Sequence, residues 1–255
     1  MSRSPPRLPR DFYHGLLGLA ITSIVLWAGC SNVRAVLNEP RPETFAEGKR
    51  RPLQIGKLIK KRQIAPVTGV EMADWLNRPQ REAEEQPNRV VGALKIPEGG
   101  TVVDLGAGTG YFTWRLARQI GPTGRVIAVD IQQGMLDRLE RNIRERGFQN
   151  VRIVLSEPGD PKIPPGSADL VLLVDVYHEL AQPEAIMEHV RRGLKPNGRV
   201  VVIEYRKEDP AIPLPPVRKM TVTEVRSELE PLGFRFVESM DFVPTQHIIV
   251  FDAAP

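Results

Sequence analysis

The sequence predicts an α/β protein with a mostly parallel sheet. From about Asn88 onward, short β-branched apolar runs alternate with amphipathic segments, which is the pattern of parallel strands joined by helices. The runs are bounded by Gly, Pro or Asn, which favour turns. Five parallel strands are predicted, at Thr101–Leu105, Gly124–Asp130, Val151–Leu155, Ala168–Val174 and Gly198–Glu204.

Helices are predicted between these strands because apolar residues recur there at helical spacing. The helices span Tyr111–Ile120, Gly134–Arg146 and Pro183–Leu194, with a further helix at Thr223–Leu232. The last two apolar runs, Phe234–Val237 and Gln246–Phe251, are too closely spaced for a helical crossover. We therefore expect the chain to finish on an antiparallel hairpin.

An apolar segment lies near the N-terminus. The 22 residues between Asp11 and Arg34 contain no Asp, Glu, Lys or Arg. Residues 1–30 therefore predict an export signal or a membrane anchor. Ala28-Gly29-Cys30-Ser31 resembles a bacterial lipoprotein signal, in which Cys30 would carry lipid. An uncleaved span is the alternative, and the basic residues that follow it would then keep the C-terminal domain in the cytoplasm. Both alternatives associate the protein with a membrane.

The charge is unevenly distributed along the chain. Residues 1–66 hold twelve Lys or Arg and four Asp or Glu, and the remainder holds 23 and 27, so the α/β domain is acidic although the whole chain carries +4. An acidic domain argues against nucleic acid as a partner, because phosphate binding needs a basic face.

The composition of residues 31–69 predicts a basic, Pro-rich linker. Residues 70–87 predict a helical flap ahead of a domain over 88–255. The single cysteine excludes a multi-cysteine metal centre, and no metal site is predicted.

The strongest motif is Val102-Val-Asp-Leu-Gly-Ala-Gly-Thr-Gly-Tyr111, at the end of the first strand. Glycine lets the chain turn tightly into a helix and lets a ligand lie against the backbone. A nicotinamide or flavin site prefers Gly-x-Gly-x-x-Gly. Here the third glycine comes one residue earlier and an acid precedes the first. The pattern Asp-x-Gly-x-Gly-x-Gly resembles motif I of the class I S-adenosylmethionine-dependent methyltransferases.

Most of the segment 88–251 resembles the methyltransferase type 11 group, which includes quinone-biosynthesis methyltransferases. The resemblance implies a Rossmann-like seven-stranded sheet, mostly parallel with a C-terminal antiparallel hairpin, and S-adenosyl-L-methionine as cofactor. It also implies that Asp104 helps to hold the cationic amino group of the methionine moiety. The loop residues expected to bind the cofactor are Gly106, Ala107, Gly108 and Gly110.

Further cofactor contacts are expected after the second and third strands. Asp130 lies 20 residues beyond Gly110, where a carboxylate can accept hydrogen bonds from both ribose hydroxyls, with a helix N-cap as the alternative. Ile131 is expected to pack on the adenine. Glu157 and Asp160 are candidates to bind the adenine amino group, and a solvated turn is the alternative for both.

The segment Asp175-Val-Tyr-His-Glu-Leu180 follows the fourth strand, a position next to the transferred methyl group in this fold. Asp175 is assigned to the cofactor site, and Tyr177 and Glu179 are assigned to the pocket wall. His178 is the candidate catalytic base, because a neutral imidazole can take a proton from the acceptor near pH 7. A structural hydrogen-bonding histidine is the alternative.

Together these features predict methyl transfer from S-adenosylmethionine to a small acceptor. The N-terminal segment favours a lipophilic acceptor, such as a lipid or a quinone-like molecule, because it would hold the active site near a membrane. Two alternatives remain on sequence alone: a non-catalytic domain that binds S-adenosylmethionine, and a nicotinamide-dependent oxidoreductase built on the same kind of sheet.

Overall fold

The computed structural model describes residues 58–59 and 62–253. The signal or anchor predicted over residues 1–30, with Cys30, lies outside these described residues, as does most of the predicted linker. Within the described part, no helix combines the length and the apolar character needed to cross a bilayer.

Short elements precede the main sheet. Strand β1 (Leu58–Ile59) pairs antiparallel with β2 (Arg62–Gln63), and a 3-10 turn follows at Val70–Met72. Three short helices come next: α1 (Ala73–Leu76), α2 (Arg81–Glu85) and α3 (Pro87–Ala93). The helical flap predicted over residues 70–87 is thus interrupted at 77–80. Pro79 explains the interruption, since it lacks an amide hydrogen and disfavours helical geometry in Arg78.

The end of the predicted linker is part of the folded structure. Ile64 and Ala65 are buried, and the Ala65 amide donates to the carbonyl oxygen of His178. These two consecutive apolar residues lie inside a basic stretch, and removing their apolar surface from water stabilises the packing of this segment on the domain. The chain is therefore packed against the domain from Arg62, earlier than the boundary expected at residue 69.

The main sheet has seven strands: β3 (Thr101–Leu105), β4 (Arg125–Asp130), β5 (Val151–Leu155), β6 (Ala168–Val174), β7 (Leu194–Tyr205), β8 (Phe234–Met240) and β9 (Gln246–Ala253). Their spatial order is β5-β4-β3-β6-β7-β9-β8. The first five pair in parallel, and β9 pairs antiparallel with both β7 and β8. The predicted fold class, including the C-terminal antiparallel pair, is confirmed.

Helices cover both faces of this sheet: α4 (Thr113–Ile120), α5 (Gln133–Glu145), α6 (Pro183–Gly193) and α7 (Val222–Leu229). Apolar residues from alternate positions of the strands form two main core clusters with them, as a parallel sheet buried on both faces requires. The strand order reverses between β3 and β6, because the chain runs from β3 outward to β5 and then returns to β6. Such a switch point opens a crevice at the carboxyl ends of the strands, where α/β proteins bind ligands.

Candidate functional site

The glycine loop follows β3 at this switch point. Gly106 has φ +75°, and a Cβ there would come 2.4 Å from Cγ2 of Val176, so only glycine fits between β3 and the segment after β6. Gly108 has φ +54°, and a Cβ there would meet nothing nearer than Leu76 at 3.9 Å. The first glycine is therefore required by packing, and Gly108 leaves open the side of the loop that faces α1.

Asp130 is fixed at the end of β4 by backbone donors. Its Oδ2 accepts a hydrogen bond from the Gly108 amide at 2.8 Å, and its Oδ1 accepts one from the Gln132 amide at 2.9 Å. The side chain is buried, which raises its pKa against the effect of these amides. Each carboxylate oxygen keeps a further lone pair, so the group can still accept two hydroxyl donors while the loop holds its orientation.

Asp104 lies beneath the loop. Its Oδ2 accepts a hydrogen bond from the Thr113 hydroxyl at 2.6 Å, at the first turn of α4. Burial raises the pKa of Asp104 to about 6, although the Thr113 bond works against the rise. The carboxyl group predicted to hold the methionine amino group therefore ties β3 to α4 within the protein.

The residues expected around the adenine follow the ends of two neighbouring strands, β4 and β5. Ile131 is 44% exposed directly after Asp130, as a residue that covers an aromatic ring would be. Glu157 and Asp160 bond to each other through their backbones in a turn after β5, and the Lys162 ammonium pairs with Glu157 at 2.8 Å. The Asp160 carboxylate accepts from the Lys162 amide at 2.7 Å. Both acids thus have partners within their own turn.

His178 is buried between two carboxylates. Its Nδ1 lies 2.6 Å from Oε2 of Glu204, and its Nε2 lies 3.7 Å from Oε1 of Glu179. Burial would lower the pKa of His178, but Glu204 and Glu179 raise it to about 10. The imidazole is therefore protonated at neutral pH, and the geometry favours the structural role over proton abstraction.

The crevice beyond His178 contains a second set of buried polar groups. Asp175 has a left-handed φ of +54°, and its Oδ2 accepts from Nε2 of Gln246 at 2.9 Å. Its Oδ1 and the Gln246 Oε1 are buried, and neither finds a hydrogen-bond partner among the described residues. Burial, with Glu85 and Glu204 nearby, raises the pKa of Asp175 well above its ordinary value. Unmet hydrogen-bonding capacity and backbone strain in one residue are typical of a functional site.

Two residues of this region were not predicted from the sequence. Glu204 is the penultimate residue of β7 and pairs with His178, and Gln246 begins β9 beside Asp175. An acid at the carboxyl end of an otherwise apolar strand, Val200-Val-Val-Ile-Glu204, is a signal that could have identified Glu204. Gln246 has no such local signal, because its role depends on the pairing of β9 with β7.

Residues 96–231 match a family described as a methyltransferase domain, which is more than half of the chain. The chain belongs to this family. Its fold is that of the class I S-adenosylmethionine-dependent methyltransferases, and S-adenosylmethionine is the cofactor that this membership implies. The predicted family and cofactor are confirmed.

Individual relatives support the same family. The chain is 27% identical over 150 residues to an arsenite methyltransferase of Halobacterium salinarum, covering 55% of this chain and 38% of that protein. It is 34% identical over 113 residues to a demethylmenaquinone methyltransferase of Lactobacillus johnsonii, covering 44% of this chain and 46% of that one. The chain thus spans less than half the length of these curated relatives.

A solved structure extends the similarity over the whole domain. The S-adenosylmethionine-dependent methyltransferase of Aquifex aeolicus superposes with a TM-score of 0.70 at 25% identity, covering 74% of this chain and all of the other. Two features fit the nucleoside of the cofactor: the open face at Gly108, and a buried carboxylate followed by the exposed Ile131. Among the described residues, no cluster of three or more His, Cys, Asp or Glu side chains could hold a metal ion.

Proposed function

We propose that this protein transfers the methyl group of S-adenosylmethionine to a small acceptor bound in the crevice beside Asp175. One observation carries the proposal: the glycine loop and Asp130 form a single hydrogen-bonded unit at the switch point of the sheet, through the bond from the Gly108 amide to the carboxylate. That unit offers two carboxylate oxygens to ribose hydroxyls and an open backbone to the rest of the nucleoside.

The remaining residues divide between the two ligands in this proposal. Asp130 binds the ribose, Ile131 covers the adenine, and Gly106 to Gly110 lie against the methionine side of the cofactor. When bound, S-adenosylmethionine supplies an electrophilic methyl group on a positively charged sulfur. The reaction needs an acceptor held in line with that methyl group.

Asp175 is the proton acceptor in this proposal. His178 is unsuited because its pKa of about 10 keeps it protonated. Asp175 lies next to Val176, which contacts the glycine loop, and its Oδ1 is free to take a hydrogen bond from the acceptor. Burial, Glu85 and Glu204 raise the pKa of Asp175, which makes its ionised carboxylate a stronger base. Gln246 orients the carboxyl group through the bond to Oδ2.

The proposed acceptor is lipophilic and small, with a quinone-like or lipid molecule preferred. The apolar N-terminal segment supports this choice, since it would hold the domain at a membrane, either through Cys30 or as a span. One relative is named for demethylmenaquinone and another for arsenite, so the names of relatives support a small molecule more strongly than one chemical class.

Calorimetric binding of S-adenosylhomocysteine tests the cofactor half of the proposal. We expect Asp130→Asn to weaken binding about 10- to 100-fold, because charge-assisted hydrogen bonds contribute about 1.5–3 kcal/mol. Asp137→Asn is the matched control, since Asp137 is exposed on α5 and bonds only locally to Gln133. Equal affinity of both variants and the wild type, or no binding by the folded wild type, would contradict the proposal.

The acceptor is tested with labelled S-adenosylmethionine and extracts divided into lipid, small-molecule and protein fractions. Label in the lipid or small-molecule fraction is expected. Label in protein alone would overturn the proposed acceptor class, and cofactor binding without transfer to any fraction would favour a non-catalytic binding domain.

A further inference from the structure

Residues 62–68, here called the strap, run across the carboxyl edge of the sheet and contact residues that follow β4 and β6. Thr68 is the point where the strap contacts two different strand ends. Its carbonyl oxygen accepts from Nε2 of Gln132 at 2.8 Å, and its amide donates to Oε2 of Glu179 at 3.0 Å. Gln132 lies just beyond β4 and Glu179 lies beyond β6.

The strand between those two ends is β3, whose carboxyl end carries the glycine loop. Neighbouring strands are about 4.8 Å apart, so a residue that bonds to groups beyond both β4 and β6 lies above the end of β3. The strap therefore passes over the start of the loop proposed to hold the cofactor. No other described segment connects these two strand ends through one residue's backbone.

The chain that follows the strap continues the cover. Val70 lies over the first turn of α5, where a Cβ at Gly134 would come 3.2 Å from its Cγ2. Leu76 faces Gly108, and the Thr109 hydroxyl donates to the Asn77 side-chain oxygen at 2.9 Å. The strap and α1 together contact the glycine loop on the side that Gly108 leaves open.

A pair of charged side chains holds the strap down. The Arg218 guanidinium donates to Oε1 of Glu179 at 2.5 Å, to the Thr68 hydroxyl at 2.9 Å and to the Pro66 carbonyl oxygen at 2.9 Å. The Thr68 hydroxyl also donates to Glu179 at 2.5 Å. Burial would raise the pKa of Glu179, but His178, Thr68 and Arg218 hold it below its ordinary value, so the carboxylate is ionised at neutral pH.

We infer that Glu179, Arg218 and Thr68 form a latch that holds the strap over bound S-adenosylmethionine, so that cofactor and product exchange only when the latch opens. The inference rests on the proposed function. Glu179 and Arg218 act as positioning residues, because they hold the chain that covers the cofactor and need not touch the reacting atoms. The latch retains the cofactor during transfer and sets the rate at which the product nucleoside leaves.

The dissociation rate of labelled S-adenosylhomocysteine from the full-length protein tests the latch. Thr68→Val is the mildest variant, because it keeps the shape of the side chain and removes only the hydroxyl. We expect it to speed dissociation about fivefold, and Glu179→Gln about tenfold or more, since bonds to charged groups are the stronger ones. The dissociation rate of Arg218→Lys is expected to lie between those of the wild type and Glu179→Gln. An ammonium keeps the positive charge but lacks the several planar donors of a guanidinium. Arg235→Met is the control, an exposed arginine on β8 that pairs with Asp252.

Hydrogen exchange at the Ala65 and Thr68 amides gives a second readout. Both amides are bonded within the latch region, and we expect S-adenosylhomocysteine to slow their exchange in the wild type and much less in Glu179→Gln. Faster exchange at Thr68 with an unchanged dissociation rate would overturn the latch and leave the proposed function intact. Failure of the folded wild type to bind the nucleoside would overturn both.

Discussion

The two halves of the carboxyl edge are built differently. On the β4 side, Asp130 takes backbone donors on both carboxylate oxygens, and its partners lie within 22 residues of it in the chain. On the β6, β7 and β9 side, Asp175 and Gln246 are 71 residues apart and each has a buried oxygen with no partner among the described residues. The Tyr205 hydroxyl reaches back 120 residues to Glu85 in the same region.

This difference indicates which half is generic and which is particular to this chain. A nucleoside common to a whole family can be bound by backbone geometry that one short motif provides. An acceptor that differs between enzymes needs side chains brought together from separate elements, with hydrogen-bonding capacity left for the ligand. We therefore propose that the glycine loop binds the part of the ligand that is common to the family and that the Asp175 region selects the acceptor.

The largest loss of stability should follow from breaking the pair between His178 and Glu204, on the β6, β7 and β9 side of the carboxyl edge. His178→Phe leaves Glu204 buried without its partner, and we expect a loss of about 3–5 kcal/mol in the free energy of unfolding. His178→Asn keeps a donor and should lose less. Urea unfolding at pH 6 measures both.

The pH dependence of that loss identifies its cause. The pKa of His178 is raised from the ordinary 6.5 to about 10 in the folded protein, so its charge contributes stability fully below pH 6.5, and this contribution is lost as the pH rises towards 10. The difference between wild type and His178→Asn should therefore shrink from pH 6 to pH 10. A difference that stays constant over this range would mean that the imidazole is neutral.

The same contrast explains how much the sequence could predict. The strands and helices from residue 101 onward, the glycine loop and Asp130 all depend on local patterns, and the structure has them close to the predicted bounds. The contacts of Thr68, Arg218 and Gln246 join segments up to about 150 residues apart, and no spacing rule encodes them. The protonation of His178 was also beyond the sequence, because it depends on Glu204, which only the pairing of β6 with β7 brings near.

Substitution of a glycine in the glycine loop tests the β4 side of the carboxyl edge, with a smaller expected loss of stability. Gly106 and Gly147 have nearly the same left-handed φ, +75° and +76°, but a Cβ at Gly147 meets nothing within 4 Å. We expect Gly147→Ala to cost about 1–2 kcal/mol in unfolding free energy through backbone strain alone. Gly106→Ala should cost about 1–3 kcal/mol more, because Val176 must move. It should also abolish measurable binding of S-adenosylhomocysteine, whereas Gly147→Ala should bind normally. Equal costs for the two variants would show that the contact with Val176 relaxes freely.

Asp175→Asn should have the smallest effect on stability. It should leave the protein as stable as the wild type or more stable, whereas the preceding substitutions destabilise it. Burial, Glu85 and Glu204 disfavour the ionised carboxylate in the folded state, so Asp175 contributes less stability as the pH rises above its ordinary pKa of 3.8. At pH 8 the Asn variant should be at least as stable as wild type, and at pH 4 the two should match. Asp169→Asn, near the start of β6, the strand that Asp175 follows, is the matched contrast. Partial burial would raise the pKa of Asp169, but Lys195 and the Thr101 amide lower it.

That contrast decides whether Asp175 is maintained for function. We expect Asp169→Asn to lose about 1–3 kcal/mol at pH 8, because it removes bonds to a favourably ionised group. If Asp175→Asn is also destabilised at pH 8, the carboxylate is a structural partner of Gln246 and the acceptor must find its base elsewhere. If it is as stable as the wild type while methyl transfer falls, Asp175 is a residue kept at the expense of stability, as expected of a group held for its reaction with the acceptor.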